Sequence, residues 1–306
     1  MHMGASKNER IKLTINDQEV AITNPMKKLW PSITKSEYIN YLITVSPLLL
    51  PYLRKRLLTV IRYPNGVQNE AFFQKNSPEY TPDFVETKMD DGKNYILCSN
   101  LETLIWLGNQ GAIEYHIPFQ QFDENGPREI VFDLDPPSRD HFLLAIEAAL
   151  IIKEILEKLN IVSYIKTSGN KGMQILIPLL SNSFTYEETK VFTAFIASYL
   201  VNKEPKWFTI ERLKKNRKER LYVDFIQHAE GKTIIAPYSV RGNEDALVST
   251  PLQWSEVTRQ LNPSTFTMGE VINRIKGENH LKLNLKEMEI KNKGLHQLIK
   301  NINNLT

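Results

Sequence analysis

Two aspartates, Asp133 and Asp135, stand two residues apart in the segment IVFDLDPP. Glu129 to Asp135 has the length and apolar content of a strand, on which alternate side chains share a face. The two carboxylates therefore project the same way, about 6.6 Å apart along the chain. Pro136 and Pro137 end the strand just beyond them. Hard oxygen donors so placed suit magnesium or manganese, ions that polarise a phosphate and activate an attacking hydroxyl, and the chemistry suggested is phosphoryl transfer. The same D-x-D also fits a cap on the following turn and helix. A third acid, Asp224 in RLYVDFIQ, interrupts an otherwise apolar strand. A carboxylate there is costly unless paired, solvated or metal-bound, so a metal and a salt bridge to a neighbouring Arg or Lys are its two readings.

The segment KTSGNKGMQILIP sets Ser168, Gly169, Lys171 and Gly172 in a turn between two strand-like stretches. Small residues let backbone N–H groups approach a phosphate, and Lys171 adds a point charge. The spacing is not that of a Walker loop, however, and an ordinary hairpin turn uses the same residues. Basic residues from Arg212 to Arg220, Lys214 and Arg217 among them, crowd the stretch before the Asp224 strand; such a run is a solvated loop or a phosphate-gripping surface. His116 in GAIEYHIPF reads on its own as a core histidine bonded to a carbonyl. Lys27 and Lys35 in TNPMKKLWPSITK read as exposed lysines. Phe72 and Phe73 in AFFQKN face opposite sides of a strand, as one core ring and one stacking platform, or as two structural rings.

The elements that must hold these groups are short strands alternating with helices, without internal repeats. Apolar positions from Ser36 to Leu53 suit a helix that Pro47 and Pro51 should end early or bend. Strands are expected at Leu57–Arg62, Ala71–Lys75 and Tyr95–Cys98, and Asn100 caps a helix running to Gly108. Further on come the Glu129–Asp135 strand, an Arg139–Leu159 helix, Ile161–Thr167 and Gly172–Pro178 strands and a Thr185–Asn202 helix. Leu221–Ile226 and Thr233–Pro237 are expected to pair antiparallel across a turn near Gly231, with a mainly helical, polar tail from Trp254. The class is α+β, with central sheets.

With 306 residues, 42% hydrophobic and 24% charged, the chain supports a real core in one large or two modest domains. The net charge of +3 says little as an average, whereas the basic cluster is informative. A lone Cys98 allows no internal disulfide and points to a reducing, intracellular setting. No apolar run approaches a membrane span and no cleavable leader opens the chain, so a soluble, cytoplasmic protein is expected. Residues 1–6 read as a cloning remnant, 7–260 as the functional domain and 261–306 as a polar, mainly helical C-terminal extension.

Taken in order, DLDP, TSGNKGMQ, YVDF and APYSVR resemble the motif series of the polymerase domain of bacterial ligase D, within the archaeo-eukaryotic primase superfamily, from about Thr23 to Trp254. The resemblance implies a primase-like α+β fold with antiparallel or mixed central sheets flanked by helices. It also implies a nucleotidyltransferase that fills gaps and extends DNA ends on a template in non-homologous end joining, with ribonucleotides favoured. Asp133, Asp135 and Asp224 would then hold two divalent ions, Mn2+ or Mg2+. Ser168, Lys171, Gln174 and Arg241 would meet the triphosphate of an NTP or dNTP, with His116 near the nucleotide and primer terminus. Lys27 and Lys35 would grip the 5′-phosphate across a gap, Phe72 or Phe73 would stack on DNA, and Lys214 and Arg217 would contact DNA phosphates. Implied partners are DNA ends or gapped duplexes, the Ku end-binding protein and an ATP-dependent ligase domain; no membrane is implied, and the location is the bacterial cytoplasm at the nucleoid. No ligase lysine motif is evident, so the chain is one domain of a longer protein or a stand-alone relative.

Two departures stand out. Gln174 replaces the histidine of the second motif and cannot carry a positive charge, and Gln227 and His228 replace the Arg and Asn that follow the third Asp. Both leave the acids untouched and imply reduced or altered activity rather than its loss. Two other classes compete. A DNA-end-binding or bridging module with weak or no polymerase activity would use the same lysines and aromatics. A two-metal nuclease or phosphodiesterase leaves the triphosphate-side residues unexplained.

Overall fold

The computed structural model describes residues 10–277, 281 and 283–303; the expected remnant at 1–6 lies outside them. Strands β1 (Arg10–Ile15) and β2 (Gln18–Thr23) form a hairpin that the sequence reading did not anticipate. Asn16 and Asp17 turn it with positive φ at both positions, as a two-residue mirror-image turn requires. Helix α1 (Lys35–Leu53) opens with a capping box between Thr34 and Glu37 and runs unbroken through Pro47 and Pro51. The expected early end does not occur. Pro47 cannot serve the carbonyl of Ile43, but Ser46 Oγ donates to it at 2.9 Å. An interior proline costs about 3 kcal/mol, and the buried face of Tyr38, Leu42, Val45 and Leu49 outweighs that at roughly 1.5–3 kcal/mol per side chain.

Strands β3 (Thr59–Arg62), β4 (Phe72–Gln74), β5 (Thr87–Asp90) and β6 (Lys93–Ile96) follow, then α2 (Leu101–Asn109), capped by Asn100, and β7 (Ala112–Pro118). Next come β8 (Glu129–Asp135), α3 (Phe142–Lys158), β9 (Tyr164–Thr167), β10 (Met173–Pro178) and α4 (Tyr186–Lys203). The chain ends with β11 (Phe208–Thr209), the single turn α5 (Lys214–Arg217), β12 (Leu221–Asp224), β13 (Thr233–Ile235), β14 (Pro251–Leu252), α6 (Met268–Lys276), α7 (Leu285–Lys291) and α8 (Leu295–Asn303).

Two sheets dominate, one in the order β11-β12-β8-β10-β9-β14 and one in the order β13-β7-β3-β4. The expected hairpin between β12 and β13 does not form. β12 pairs with β8, whereas β13 pairs with β7 in the other sheet. Between them Gln227 donates its backbone N–H to Asp224 Oδ1 at 3.0 Å and its side-chain amide to Thr233 O at 2.7 Å. Side-chain bonds thus stitch a crossover where a two-strand ladder was expected. One core gathers Tyr38, Leu42, Leu104 and Tyr115, and the other packs Ile146 and Phe192 against Phe132 and Ile175 of the larger sheet. Buried Arg56 and Glu129 make a two-pronged pair at 2.9 Å, and Arg56 also donates to Pro118 O, joining the start of β8 to the end of β7.

The C-terminal tail, expected to be polar and mainly helical, contributes Leu295 and Ile299 to the second core. The Asn292 side chain bonds the backbone of Val162 and Pro178 at 2.8–2.9 Å, and Arg128 meets Glu289 at 2.6 Å. Arg56→Met strands a buried carboxylate, so urea unfolding should show a loss of about 3–5 kcal/mol, largely recovered when Glu129→Leu is added; a loss below about 1 kcal/mol contradicts this account.

Candidate active site

The register of the larger sheet brings remote residues into one line. Asp224 on β12 is directly opposite Asp133 on β8, Gln174 on β10 is opposite Asp133 from the other side, and Lys166 on β9 is opposite Gln174. Opposed residues on antiparallel strands share a face with Cβ atoms roughly 4.5–5.5 Å apart. Lys166, Gln174, Asp133 and Asp224 therefore form a cross-strand row, and Asp135, two residues along β8, lies on the same face.

An edge of Asp133 reaches solvent, yet burial pushes its carboxyl up to about 6; the Gln174 amide opposes the rise, and the charges of Asp135 and Asp224 add to it. Gln174 Nε2 donates to Asp133 Oδ1 at 3.0 Å, while Gln174 Oε1 accepts from Lys166 Nζ. Lys166 is fully buried, and burial, helped by Arg241, lowers its ammonium to about 7.

Asp135 faces two cations, Lys171 Nζ at 3.0 Å and Arg217 at 3.5 Å. Asp224 accepts from Tyr222 Oη at 3.1 Å and from the Gln227 N–H, and among the described residues it makes no salt bridge. With these partners in place, no three acidic, histidine or cysteine side chains among the described residues form a ready-made ion cage. The donor set still fits a hard divalent ion, because all three side chains are oxygen donors and their mutual repulsion is relieved by a cation.

The 168–172 loop closes the end of the row. Ser168 Oγ accepts from the N–H groups of Asn170 and Gly172 at 3.2 and 3.0 Å. Gly169 has φ +70°, and a Cβ there falls 2.9 Å from Arg241 Cγ; at Gly172 it falls 2.2 Å from Leu134 O. Close approach to β8 requires the glycine at 172, and a positive φ with close approach to Arg241 and the backbone of Val248 and Ser249 requires the one at 169. Lys171 also donates to Pro136 O at 2.7 Å and Pro137 O at 3.2 Å, fastening the loop to the end of β8.

Glu114 on β7, which the sequence reading passed over, organises the opposite wall. It accepts from Arg241 at 2.6 Å and from the Gly242 N–H at 3.0 Å, and its carboxylate lies 2.9 Å from His116 Nε2. Burial alone raises a carboxyl, but His116, Arg241 and the Gly242 N–H together hold Glu114 down at about 2. Arg241 also donates to Ser168 O at 3.1 Å, so the smaller sheet positions a guanidinium over the loop of the larger one. His116 is thus paired with a carboxylate rather than a carbonyl. The available signal was the two-residue spacing of Glu114 and His116, which puts both on one strand face.

Other expected site residues stand apart. Lys35 is not an exposed lysine: its buried Nζ donates to Thr23 O, Asn109 O and Asn109 Oδ1 at 2.7, 3.0 and 3.3 Å, and burial, with Lys27 nearby, lowers it to about 8. Lys27 reaches Asn65 Oδ1 at 3.1 Å. Phe72 and Phe73 are 44% and 73% exposed, so neither ring is core. Lys214 is exposed, but Arg217 turns inward to Asp135 and lies 3.7 Å over the Tyr222 ring, so the two do not present one outward surface. His228 is buried between Phe119 and Tyr186, with Nε2 2.9 Å from Thr189 Oγ1, and is not a contact of the carboxylate row.

Two sheets that set acids, a tight glycine loop and paired cations around one face define the class, a nucleotidyltransferase of the primase-polymerase type. The family model for the LigD primase-polymerase domain matches residues 34–281, and the chain belongs to that family. It is 55% identical over 243 residues to the bifunctional non-homologous end joining protein LigD of Bacillus subtilis strain 168, covering 79% of this chain and 40% of that protein. It is 31% identical over 249 residues to the multifunctional non-homologous end joining protein LigD of Mycolicibacterium smegmatis, covering 78% of this chain and 32% of that protein. The chain thus spans well under half the length of these relatives. The polymerase domain of Mycobacterium tuberculosis ligase D, solved in complex with DNA, matches with a TM-score of 0.80 at 28% identity, over 89% of this chain and 98% of that one. Among the described residues no helix is long and apolar enough to cross a membrane.

With Arg241 at the triphosphate, as the motif resemblance implies, Glu114→Gln should loosen Arg241 and raise the nucleotide KM about tenfold or more, since hydrogen bonds to charged groups contribute about 1.5–3 kcal/mol; an unchanged KM in steady-state assays contradicts that expectation. Burial pushes His228 down to about 3 from the ordinary 6.5. The unfolded chain then takes a proton on this ring before the folded chain does. The stability tied to this group is whole above pH 6.5 and falls as pH drops toward 3. His228→Asn should flatten that decline in unfolding curves recorded against pH, and parallel curves contradict it.

Proposed function

We propose that the chain is a DNA-end-directed polymerase of non-homologous end joining that fills gaps and extends ends on a template, with NTPs preferred to dNTPs. The observation that carries this reading is the β12–β8 register, which sets Asp224 opposite Asp133 with Asp135 on the same face. Asp133, Asp135 and Asp224 would hold two manganese or magnesium ions, which supply Lewis-acid polarisation of the phosphates and a lowered pKa for the primer 3′-hydroxyl. Lys171 would leave Asp135 for the triphosphate. Ser168, whose Oγ already accepts two N–H bonds, keeps its O–H to donate to a phosphate oxygen. Arg241, steadied by Glu114, would offset charge on the leaving pyrophosphate, and His116 would stand beside the nucleotide from the same wall.

Lys27 and Lys35 would take the 5′-phosphate of a gap, Lys35 by exchanging one carbonyl partner, and exposed Phe72 and Phe73 would stack on DNA. Lys214 would contact a phosphate from the outer surface. Ku and a ligase domain would be the partners in end joining, in the bacterial cytoplasm. An end-bridging module with weak or no polymerase activity is favoured by one observation, the occupation of Asp135 by Lys171 and Arg217.

A gapped duplex with a 5′-phosphate, manganese and each nucleoside triphosphate separates the two. Extension by the unmodified chain, none by Asp135→Ala, and gap binding weaker by about 1.5–3 kcal/mol without the 5′-phosphate are expected. Equal extension by both proteins ends the polymerase reading, and tight gap binding without extension by either establishes the bridging one.

A further inference from the structure

A glutamine amide has a donor end and an acceptor end of nearly the same shape. Turned end for end, Gln174 would set a carbonyl oxygen against the Asp133 carboxylate. Glutamine in place of the histidine of the motif series brings this two-ended problem with it, and a neighbour must choose the end.

Lys166 makes that choice. Its Nζ donates to Gln174 Oε1, leaving Nε2 to face Asp133 Oδ1 at 3.0 Å. Lys166 has little freedom of its own. It is fully buried and bonded to Ser249 Oγ at 2.7 Å, and that hydroxyl donates onward to Thr167 O at 3.0 Å, which turns a lone pair toward the lysine. The ammonium has three N–H donors and the neutral amine two, so both forms serve Gln174 and Ser249 and the orientation survives a change of charge. Among the described residues Lys166 forms no ion pair. Burial of a lysine without an acid is costly, and an apolar side chain of similar length would fill the space without that cost. What it would lack is the N–H donor.

We infer that Lys166 is a positioning residue, which locks the Gln174 amide so that an N–H holds Asp133 in line with Asp224. The inference rests on the proposed role of these acids as ion ligands. Partners that orient a metal ligand typically contribute about 10–100-fold in affinity or activity, and the route through Gln174 makes the contribution conditional on that residue.

The test is a double-mutant cycle on the full chain, with calorimetric binding of manganese together with a non-hydrolysable nucleoside triphosphate, in the absence of DNA. Lys166→Met should weaken binding about tenfold or more, whereas adding it to Gln174→Met should cost less than about threefold. Primer extension should lose more in kcat than in KM. Thermal unfolding checks the fold; if Lys166→Met does not fold, Ser249→Ala, which removes the other anchor of Nζ, should produce a smaller loss that also vanishes in the Gln174→Met background. Equal losses in both backgrounds, or no loss with Gln174 present, overturn the inference. Failure of the unmodified chain to bind manganese and nucleotide at all strikes instead at the ion-ligand reading beneath it.

Discussion

The antiparallel ladder between β12 and β8 is the constraint on which the site depends. Strand side chains repeat every two residues, so a slip of one residue would send Asp224 to the other face and leave Asp133 and Asp135 alone. The register instead sets Asp224 opposite Asp133 and Tyr222 opposite Asp135. Apolar Leu221 and Val223, buried in the second core beside Leu134, pin that register from the opposite face. Core packing and the placement of the acids are thus one arrangement seen from two sides.

Charge balance on the acid face is local. Lys171 and Arg217 neutralise Asp135, a hydroxyl and a backbone N–H serve Asp224, and the Gln174 amide serves Asp133. Lys171 stands on the glycine loop, Arg217 on the basic turn before β12 and Gln227 in the crossover after it, whereas Gln174 and Tyr222 stand on the paired strands β10 and β12. On the other wall Glu114 fixes Arg241 and His116 without touching the acids. The two sheets therefore divide the work, one holding the negative charge and the other presenting a guanidinium across from it.

Local features were legible in the sequence. The two-residue spacing of Asp133 and Asp135, the cap at Asn100 and the alternation from Glu129 to Lys203 all follow from short-range signals. Features set by partner choice were not. The runs around Gly231 have hairpin composition, yet β8 and β7 compete for them and win. Pro47 sits inside α1 because the neighbouring Ser46 supplies the missing bond. Lys35 and Lys166 are lysines that the fold buries, and residue type alone does not distinguish them from surface lysines. Glu114 was visible as an acid inside an apolar strand, but its meaning came only with Arg241, 127 residues away. Ordered motifs carried the long-range part of the site, because they record which strands meet where periodicity cannot.

Anomalous diffraction from crystals of the chain grown with manganese and a non-hydrolysable nucleoside triphosphate probes the central claim most directly. Manganese peaks bonded to Asp133, Asp135 and Asp224 together, with Lys171 moved from Asp135 to the triphosphate, are the predicted result. Manganese bound elsewhere, or an Asp135 still paired with Lys171 and Arg217 beside a bound nucleotide, would contradict it.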